Sequence, residues 1–485
     1  MKTATVAVCF IVACSVAFAE LPKADAFEAD LATARRFWKV PGTAVVVATK
    51  SSTILLHGDG TVDPDTVFPL ASCTKAFTSA AIATLVDDGV LDWDDPVRKH
   101  LLTFHLADEA ADKLVTIRDL LCHRSGLGPH DLLWYRAAWD LDETLRRTSK
   151  VPLSGRFRDS FQYSSLPVLA AGRAAANRYG EPWEVLVREK IAEPLGLKSA
   201  AFTSKEAAKS KKLASGHRLD RDGKVESMPA WEMAEPNPAG SLFLSARDLG
   251  TWIQFHLNDG ERGGKRIVAA KSLAETRQPH TPIRVEGGVK LQNPHTKMMG
   301  YALGWVTYDY RGELVVAHGG LIDGFRINIV LLPERGVGFG IMNDLDKTPM
   351  NLALANTWLD LILGAKPTDW NAHFRKLDDA DRDAKAKAKA KRDEARDAKL
   401  PPSLQLDGYL GTLKNDLYGE AVVSKENGKL AWKFSTFAMP LEHWSGDTYR
   451  IAGGHFDDDL VEFAISGERV ASLRFRELEF RVPSK

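Results

Sequence analysis

A charged segment with almost no apolar side chains divides the 485-residue chain into two parts. It runs from Leu377 to Pro402 and reads LDDADRDAKAKAKAKRDEARDAKLPP. Alanine and lysine favour helix, but the segment has no apolar stripe that could pack such a helix against a core. A chain of this length is also too long for one compact core. The sequence therefore predicts a solvated helical or partly disordered linker, assigned to residues 371–402, between two domains.

The segment after the linker, residues 403–485, has the pattern of a small all-β domain. GEAVVSKENGKLAWKF alternates polar and apolar side chains about Asn427-Gly428, which is a strong signal for a β-hairpin. With the opening GYLGTL there are roughly eight short alternating runs, separated by glycine-containing turns. This pattern predicts a small up-and-down β-barrel, which could hold an apolar ligand, although a packed interior is the commoner state of such barrels. We expect the barrel to pack either on the first domain or on a second copy of the chain, in which case a homo-oligomer would assemble through it.

The segment before the linker, assigned to residues 20–370, mixes helix and strand. GTAVVVATKSSTILLHG reads as a β-hairpin near its start. LGWVTYDYRGELVVAHGG and FRINIVLLPERGVGFGIMND alternate like antiparallel strands near its end. The region between them, roughly residues 72–200, has helical periodicity. Strands at both ends with helices between them predict one antiparallel sheet completed by distant parts of the chain, which is an α+β fold.

The N-terminal sequence MKTATVAVCFIVACSVAFAE has an early lysine, an apolar run and small residues at Ala17 and Ala19. This arrangement predicts a secretory signal peptide over residues 1–19 and a secreted or periplasmic protein. A lipid anchor on Cys14, within IVAC, is the alternative. No later segment is long and apolar enough to span a bilayer, so no integral membrane span is predicted.

The composition argues against several kinds of function. Lys plus Arg and Asp plus Glu both number 64, so no net charge attracts nucleic acid or an anionic membrane. The sequence contains neither H-E-x-x-H nor C-x-x-C, and neither a metal nor another cofactor is predicted. Beyond the signal peptide only Cys73 and Cys122 remain. We expect two buried thiols there, with a disulfide between them as the alternative.

The tetrad SCTK at residues 72–75 places a hydroxyl and an amine three residues apart at the start of an apolar helical pattern. Residues with this spacing share one face of a helix, so Ser72 and Lys75 can meet. The helix N-terminus supplies N–H groups and positive potential that stabilise an alkoxide. A desolvated lysine amine can then accept the serine proton and make Ser72 a nucleophile. The motif alone is weak, because an ordinary first helical turn can contain it by chance.

Two further motifs follow in order along the chain. FQYSS contains Tyr163, and VVAHGG ends in His318-Gly319-Gly320. Together with S-x-x-K they resemble the signature of the penicillin-recognising serine hydrolases: class C β-lactamases, D-Ala-D-Ala carboxypeptidases, and related esterases and peptidases of family S12. TIRDLLCHRSGL, IAEPLGLKSAAF and PAGSLFLSARDL also resemble blocks of this family. The resemblance implies an antiparallel sheet flanked by helices, together with an all-helical subdomain.

The C-terminal domain adds a second resemblance. LDGYLGTLKNDLYGEAVVSKENGKLAWKF is similar to the lipocalin-like barrel of certain serine peptidases of this superfamily, among them enzymes that cleave peptides containing D-amino acids. The pairing implies a serine hydrolase that acts through an acyl-enzyme on small peptides or amides, with D-amino-acid-containing peptides as the expected substrates. A carboxylesterase with the same machinery and a penicillin-acylated receptor without turnover are the alternatives.

The resemblance also implies a role for each motif residue. Ser72 would be the acylated nucleophile, and Lys75 would help to deprotonate it. Tyr163, held near both, would give a proton to the leaving group and later activate water. Backbone N–H groups of Ser72 and Leu321 would form an oxyanion hole, and the two glycines before Leu321 would let the strand approach the substrate closely.

Two departures from the family pattern bear on the substrate. Ser165 stands where family members usually have Asn, which shortens a side chain that would hold the substrate amide. His318 replaces the Lys of the β-lactamase version of the third motif, and a largely neutral His gives no permanent cation for a carboxylate. We therefore expect weak use of β-lactams and of peptides with a free carboxylate near the scissile bond. His123 is interpreted as structural, at a helix end beside the cleft.

Overall fold

The computed structural model describes residues 20–220, 222–229 and 232–483. The predicted signal peptide and the alternative anchor at Cys14 lie outside the described residues and stay predictions. Within these ranges, no helix combines the length and the apolar character that crossing a bilayer requires.

The first domain is built on an eight-stranded antiparallel sheet. In spatial order its strands are Thr53–Gly60, Gly42–Thr49, Val337–Asn343, Phe325–Leu332, Glu313–Ile322, Val306–Tyr310, Met299–Tyr301 and Thr281–Ile283. The predicted N-terminal hairpin therefore forms one edge and pairs with a strand from the far end of the domain. The predicted α+β fold is confirmed.

Helices cover both faces of this sheet, which is why its central strands are mostly apolar and buried. On one face lie Ala24–Trp38 and Met350–Ile362, whose Phe27 and Trp358 rings meet edge to face at 5.3 Å. On the other face lies Ala246–Leu257, and its Trp252 stacks on Phe77 of the helix Thr74–Asp87 at 3.7 Å. The second face therefore anchors the helix that begins beside Ser72.

Most of the remaining elements are short, and they belong mainly to the helical subdomain and the connections. The α-helices are Glu109–Leu114, Ile117–Leu121, Leu141–Thr148, Ser165–Tyr179, Trp183–Val187, Glu193–Leu195, Ser204–Ala207, Ala270–Glu275 and Gly287–Gln292. Single turns of 3-10 helix span Ala71–Cys73, Val97–Lys99, Asp131–Leu133, Pro333–Arg335 and Leu406–Tyr409, and a π-helical turn spans Arg188–Ala192. Two-stranded ribbons pair Val67–Pro69 with Phe243–Ser245, His217–Leu219 with Val225–Ser227, and Glu261–Arg262 with Lys265–Arg266.

The charged segment is helical. It forms most of the helix Trp370–Glu394, in which only Trp370 and Phe374, near the start, are buried. Residues 379–391 are exposed, as expected for a segment without an apolar stripe. The domain boundaries drawn from the sequence stay predictions.

The C-terminal domain is a closed eight-stranded barrel. Its strands are Gly411–Asn415, Gly419–Glu426, Lys429–Phe434, Phe437–Ser445, Thr448–Ile451, Leu460–Ser466, Arg469–Phe475 and Leu478–Arg481. Asn427 and Gly428 form the predicted hairpin loop with φ values of 51° and 76°, as a type I′ turn requires. The predicted barrel is confirmed, and buried aromatic rings, among them Trp432, Phe434 and Phe475, pack its interior.

The barrel packs against the helical part of the first domain. The His130 ring nitrogen Nδ1 lies 2.8 Å from the Tyr418 hydroxyl. Hydroxyls of Ser435 and Thr436 donate to the Arg136 carbonyl at 2.9 and 2.6 Å. These contacts bring one end of the barrel to the mouth of the cavity described below.

Candidate active site

Ser72 and Lys75 meet where the helix Thr74–Asp87 begins. The 3-10 turn Ala71–Cys73 runs directly into this helix, so the three-residue spacing holds both side chains on one side. Lys75 Nζ lies 2.9 Å from Ser72 Oγ. Lys75 is fully buried, whereas Ser72 lines an open cavity. The contact expected from the S-x-x-K spacing is therefore present.

The Lys75 amine has three acceptors around it. Besides Ser72 Oγ, it donates to the Ala239 carbonyl at 2.9 Å and to Ser165 Oγ at 3.4 Å. None of these is a carboxylate, and no ion pair to Lys75 occurs within the described ranges. An amine that touches the hydroxyl without a competing acid is the arrangement that a serine-activating base requires. The Ala239 contact was not predicted, because it comes from a loop distant in sequence.

The turn before Ser72 is tightly constrained. Ala71 has a φ of 47°, in the left-handed region that alanine rarely adopts. The strand Glu313–Ile322 passes so close that a Cβ on Gly320 would lie 2.2 Å from the Leu70 carbonyl oxygen. A Cβ on Gly319 would instead meet its nearest atom at 3.8 Å. Of the two predicted glycines, Gly320 is thus the one that the close approach requires.

One edge of this strand is open beside the nucleophile. Glu313–Ile322 pairs with Phe325–Leu332 as far as the end of the strand. On its other side it pairs with Val306–Tyr310 only up to Ala317. Residues 318–322 therefore have no strand neighbour on that side, and most of them line the same cavity as Ser72.

The register of this strand indicates which N–H groups face the open edge. Ile322 and Phe325 are joined by a two-residue loop, and such hairpins close on a hydrogen-bonded pair. Alternate residues of an antiparallel strand turn their N–H groups to opposite sides. Leu321 and Gly319 therefore direct theirs to the open edge. Because Leu321 and Ser72 line one cavity, their N–H groups are the candidates for an oxyanion hole.

His318 is held by two protein partners. Its Nδ1 lies 2.7 Å from the Gly319 carbonyl and its Nε2 lies 2.7 Å from the Tyr301 hydroxyl. A carbonyl only accepts, so Nδ1 carries the proton and Nε2 accepts from Tyr301. Burial, reinforced by proximity to Lys75, lowers the pKa of His318 to about 3. The neutral ring supplies no cation, and contact with substrate would require one of these bonds to break.

Tyr163 lies beside Lys75 but is not bonded to it through its hydroxyl. The Lys75 Nζ atom is 5.0 Å from the centroid of the Tyr163 ring. The side chain is 37% exposed, and its hydroxyl has no hydrogen-bond partner among the described residues. Ser165, two residues on, starts the helix Ser165–Tyr179 and accepts from Lys75. Tyr163 and Ser165 both line the cavity around Ser72.

His123 supports the site from behind. It follows the helix Ile117–Leu121 in a left-handed conformation with φ of 57°, so it stands at a helix end as interpreted from the sequence. Its buried ring packs against Tyr163 and Tyr301 at centroid distances of 4.5 and 4.4 Å. Burial is the main cause, and nearby Lys75 a lesser one, of a His123 pKa well below the ordinary value. No sequence motif pointed to Tyr301, because its contact with His318 depends on packing between separate segments.

Both predicted thiols are free and buried, and they do not form a disulfide. The Cys73 Sγ atom lies 3.3 Å from the His318 carbonyl, between the nucleophile turn and the open strand. Burial raises the pKa of Cys73 and of Cys122 above the ordinary value. The expectation of two buried thiols is confirmed.

A cavity of about 860 Å³ extends from Ser72 between the two domains. The first domain contributes the strand residues Gly319–Ile322 and the loop around Trp134. The barrel contributes His455, Phe456 and Arg476, which sequence reasoning missed because they reach the site only through domain packing. In the part of the chain that the structure describes, no cluster of three or more His, Cys, Asp or Glu is placed to hold a metal.

Comparison with known proteins agrees with this geometry. Residues 32–363 match the beta-lactamase family, and residues 395–483 match a domain of unknown function, DUF3471. A relative in sequence is the unguisins hydrolase ungD′ of Aspergillus campestris (strain IBT 28561), 28% identical over 418 residues, which are 80% of this chain and 75% of the relative.

Solved structures share the fold. The octameric penicillin-binding protein homologue from Pyrococcus abyssi superposes with a TM-score of 0.63 at 21% identity, over 94% of this chain and 99% of that one. The D-amino acid amidase from Ochrobactrum anthropi SV3, complexed with L-phenylalanine amide, superposes with a TM-score of 0.56 at 21% identity, over 70% of this chain and 97% of that one.

The fold and the site together define a hydrolase with the β-lactamase and penicillin-binding-protein architecture, followed by an eight-stranded barrel. The chain belongs to the beta-lactamase family. The resemblance inferred from its motifs is confirmed.

Proposed function

We propose that this protein is a serine hydrolase that cleaves amide or peptide bonds through an acyl-enzyme on Ser72, with D-amino-acid-containing peptides as its substrates. The observation that carries the proposal is the 2.9 Å contact between Lys75 Nζ and Ser72 Oγ at the edge of a large cavity. The hydrolase name of the fungal relative and the amidase name of a structural neighbour support an amide substrate.

Acylation begins with proton transfer from Ser72 to Lys75. The Ser72 oxygen attacks the substrate carbonyl carbon, and the carbonyl electron pair moves onto oxygen. The N–H groups of Ser72 and Leu321 stabilise this oxyanion. As the tetrahedral intermediate collapses, the bond to the leaving nitrogen breaks. Tyr163 gives that nitrogen a proton and recovers one from Lys75, so the serine proton is transferred to the leaving amine.

Deacylation reverses these roles. Water enters the cavity, and as it attacks the ester carbonyl carbon Tyr163 passes its own proton to Lys75 and accepts one from the water. The Ser72–acyl bond then breaks, and Ser72 recovers its proton through Lys75. Because the Tyr163 hydroxyl has no partner among the described residues, it is free to turn toward either the leaving group or water.

A substrate panel tests the proposal. Wild type and Ser72→Ala are compared on D- and L-aminoacyl p-nitroanilides, short-chain nitrophenyl esters and nitrocefin, with mass spectrometry of the intact protein. We expect turnover of the D-anilides, a covalent adduct on Ser72 and little turnover of nitrocefin. Ser79→Ala, a buried serine further along the same helix, is the matched control. Equal turnover by Ser72→Ala would sink the proposal.

The same panel separates the alternatives. Turnover of esters without anilides would identify a carboxylesterase that uses the same residues. Stoichiometric labelling by penicillin without turnover would identify a receptor.

Export and assembly are further proposals. The signal-like N-terminus supports a secreted or periplasmic enzyme that begins at Glu20 after cleavage. N-terminal sequencing of the exported protein tests this. The octameric structural neighbour supports a homo-oligomer, and light scattering of the full chain and of a chain without the barrel tests whether the barrel mediates it.

A further inference from the structure

One cation that lines the active-site cavity has no partner among the residues that the structure describes. The Lys and Arg side chains that line this cavity are Arg218, Arg326, Lys347 and Arg476. Three of them have a carboxylate within ion-pair distance: Arg218 with Glu226 at 2.6 Å, Arg476 with Asp459 at 2.6 Å, and Lys347 with Asp346 at 3.6 Å. The side chain of Arg326 forms neither a hydrogen bond nor an ion pair with any described residue.

This guanidinium is also partly withdrawn from water. Arg326 is half-buried, and desolvation lowers its pKa although Asp346 opposes the shift. Arginine nevertheless stays charged under all ordinary conditions. A partly buried charge without hydrogen bonds is costly, so its presence in a cavity points to a ligand that satisfies it.

The backbone of Arg326 is fixed beside the oxyanion hole. Arg326 pairs across the sheet with Leu321 on one side and with Asn343 on the other. Its carbonyl accepts from the buried Asn351 side chain at 3.1 Å. Directly opposed residues of neighbouring strands present their side chains on the same face. Arg326 is therefore placed one strand away from the residue whose N–H is a candidate to hold the substrate oxyanion.

None of the three carboxylates that line the cavity, Asp131, Asp323 and Asp346, forms an ion pair with Arg326. Asp323 accepts from the Tyr135 hydroxyl through one oxygen and from Arg136 through the other. Asp346 acts on Arg326 electrostatically but forms no ion pair with it within 4 Å. Burial raises the pKa of Asp346 above its ordinary value.

We propose that Arg326 binds an anionic group of the substrate, a carboxylate, while Ser72 attacks the substrate carbonyl. This inference rests on the proposed hydrolase function. A planar guanidinium can hold a carboxylate through two parallel hydrogen bonds, which gives orientation as well as affinity. The neutral His318 leaves no cation at its own position, so the anion is recognised one strand further across the sheet.

Two matched substrate pairs test the proposal and locate the anion. D-glutamyl and D-glutaminyl p-nitroanilide differ in the charge of the acyl donor. D-alanyl 4-carboxyanilide and D-alanyl 4-carbamoylanilide differ in the charge of the leaving group. For at least one pair we expect wild-type kcat/KM to favour the charged member by about 10–100-fold. In Arg326→Gln that ratio should fall to within about threefold, and Arg326→Lys should keep part of it.

Arg476→Gln is the matched control, because Arg476 lines the same cavity but is paired with Asp459. It should keep the wild-type ratio. Circular dichroism establishes that each variant is folded. If Arg326→Gln does not fold, Arg326→Lys replaces it in the comparison with wild type. Turnover by wild type without preference for the charged member of either pair would overturn the proposal. A preference that survives in Arg326→Gln would overturn it as well.

Binding of glutarate separates this inference from the catalytic proposal. Isothermal calorimetry requires no turnover, so it gives a result even if wild type cleaves no member of the panel. We expect glutarate to bind wild type and Arg476→Gln alike, and to bind Arg326→Gln at least about tenfold more weakly. Equal affinity in all three proteins would count against Arg326, whereas absence of turnover alone would count against the hydrolase.

Discussion

The Ser72–Lys75 pair and Tyr163 occupy adjacent parts of one site but are held in opposite ways. Lys75 is fully buried and directs its amine to two hydroxyls and a carbonyl. Tyr163 is 37% exposed, touches Lys75 through its ring face, and has no hydroxyl partner among the described residues. The nucleophile and its base are therefore assembled before substrate arrives, whereas the proton relay is completed only in the complex.

The contrast separates two kinds of mutational effect. A change in the assembled pair disturbs a buried polar network, so it should cost both activity and stability. A change in the loosely held phenol should cost activity while the fold is kept. Catalytic hydrogen bonds are often long or absent before substrate binds, so the missing Tyr163 bond is compatible with a role in proton transfer.

Lys75→Met should have the largest effect. Methionine fills a similar volume but cannot accept the Ser72 proton, and we expect kcat/KM to fall on the order of 10⁴-fold. The Ala239 carbonyl and the Ser165 hydroxyl lose their donor, so the free energy of unfolding should also fall by about 1–3 kcal/mol. Steady-state kinetics and urea unfolding measure the two effects.

Lys347→Met is the control for this experiment, because Lys347 lines the same cavity but its side chain is 80% exposed. Activity and stability should both change little. If Lys75→Met retained most of the wild-type kcat/KM, the amine would not be the base.

Tyr163→Phe should have the next largest effect. It keeps the ring against Lys75 and removes only the hydroxyl, so we expect kcat/KM to fall by about 10²–10³-fold with the melting temperature unchanged. Tyr301→Phe is the comparison, because it should affect stability more than activity. It leaves His318 Nε2 buried without its donor, and should lower the free energy of unfolding by about 1–3 kcal/mol with a smaller loss of activity. Full activity in Tyr163→Phe would remove the phenol from the mechanism.

Gly320→Ala and Gly319→Ala test how closely the strand must approach the nucleophile. A Cβ at 320 would lie 2.2 Å from the Leu70 carbonyl oxygen, so the strand must move away from the Ser72 turn. A displacement of about 1 Å at a catalytic site costs on the order of 10²-fold in rate. At 319 the nearest atom is 3.8 Å away, and the loss should be much smaller. If both variants lost activity equally, the close approach of the strand to the Ser72 turn would not be the reason for glycine at position 320.

Much of this site follows from local sequence. Ser72 and Lys75 meet because three residues span one helical turn, and that relation is independent of the rest of the fold. The Asn427-Gly428 hairpin is predictable for a similar reason, since few residue pairs adopt two consecutive positive φ values. The apolar periodicity of the sheet and barrel strands likewise predicts their faces.

What could not be predicted depends on contacts between distant segments. The Ala239 carbonyl reaches Lys75, and Tyr301 reaches His318, across separations that no periodicity encodes. His455 joins the cavity only because the barrel packs against the helical subdomain. Tyr163 was predicted only in part. Its ring lies beside Lys75 as expected, but its hydroxyl forms no hydrogen bond with Ser72 or Lys75.

The smallest effect concerns His318 and the dependence of stability on pH. In the unfolded chain a His takes up a proton near its ordinary pKa of about 6.5, whereas folded His318 does so only near about 3. Between these values the unfolded state binds more protons, so the free energy of unfolding falls on acidification. From pH 7 to pH 5, His318 should account for about 2 kcal/mol of that fall. Glutamine cannot titrate. Between pH 7 and pH 5 the free energy of unfolding of His318→Gln, measured with urea, should therefore fall by about 2 kcal/mol less than that of wild type. Buried His123 and His256 act in the same direction in both proteins. Equal losses in the two proteins would mean that His318 is already protonated in the folded state at pH 5.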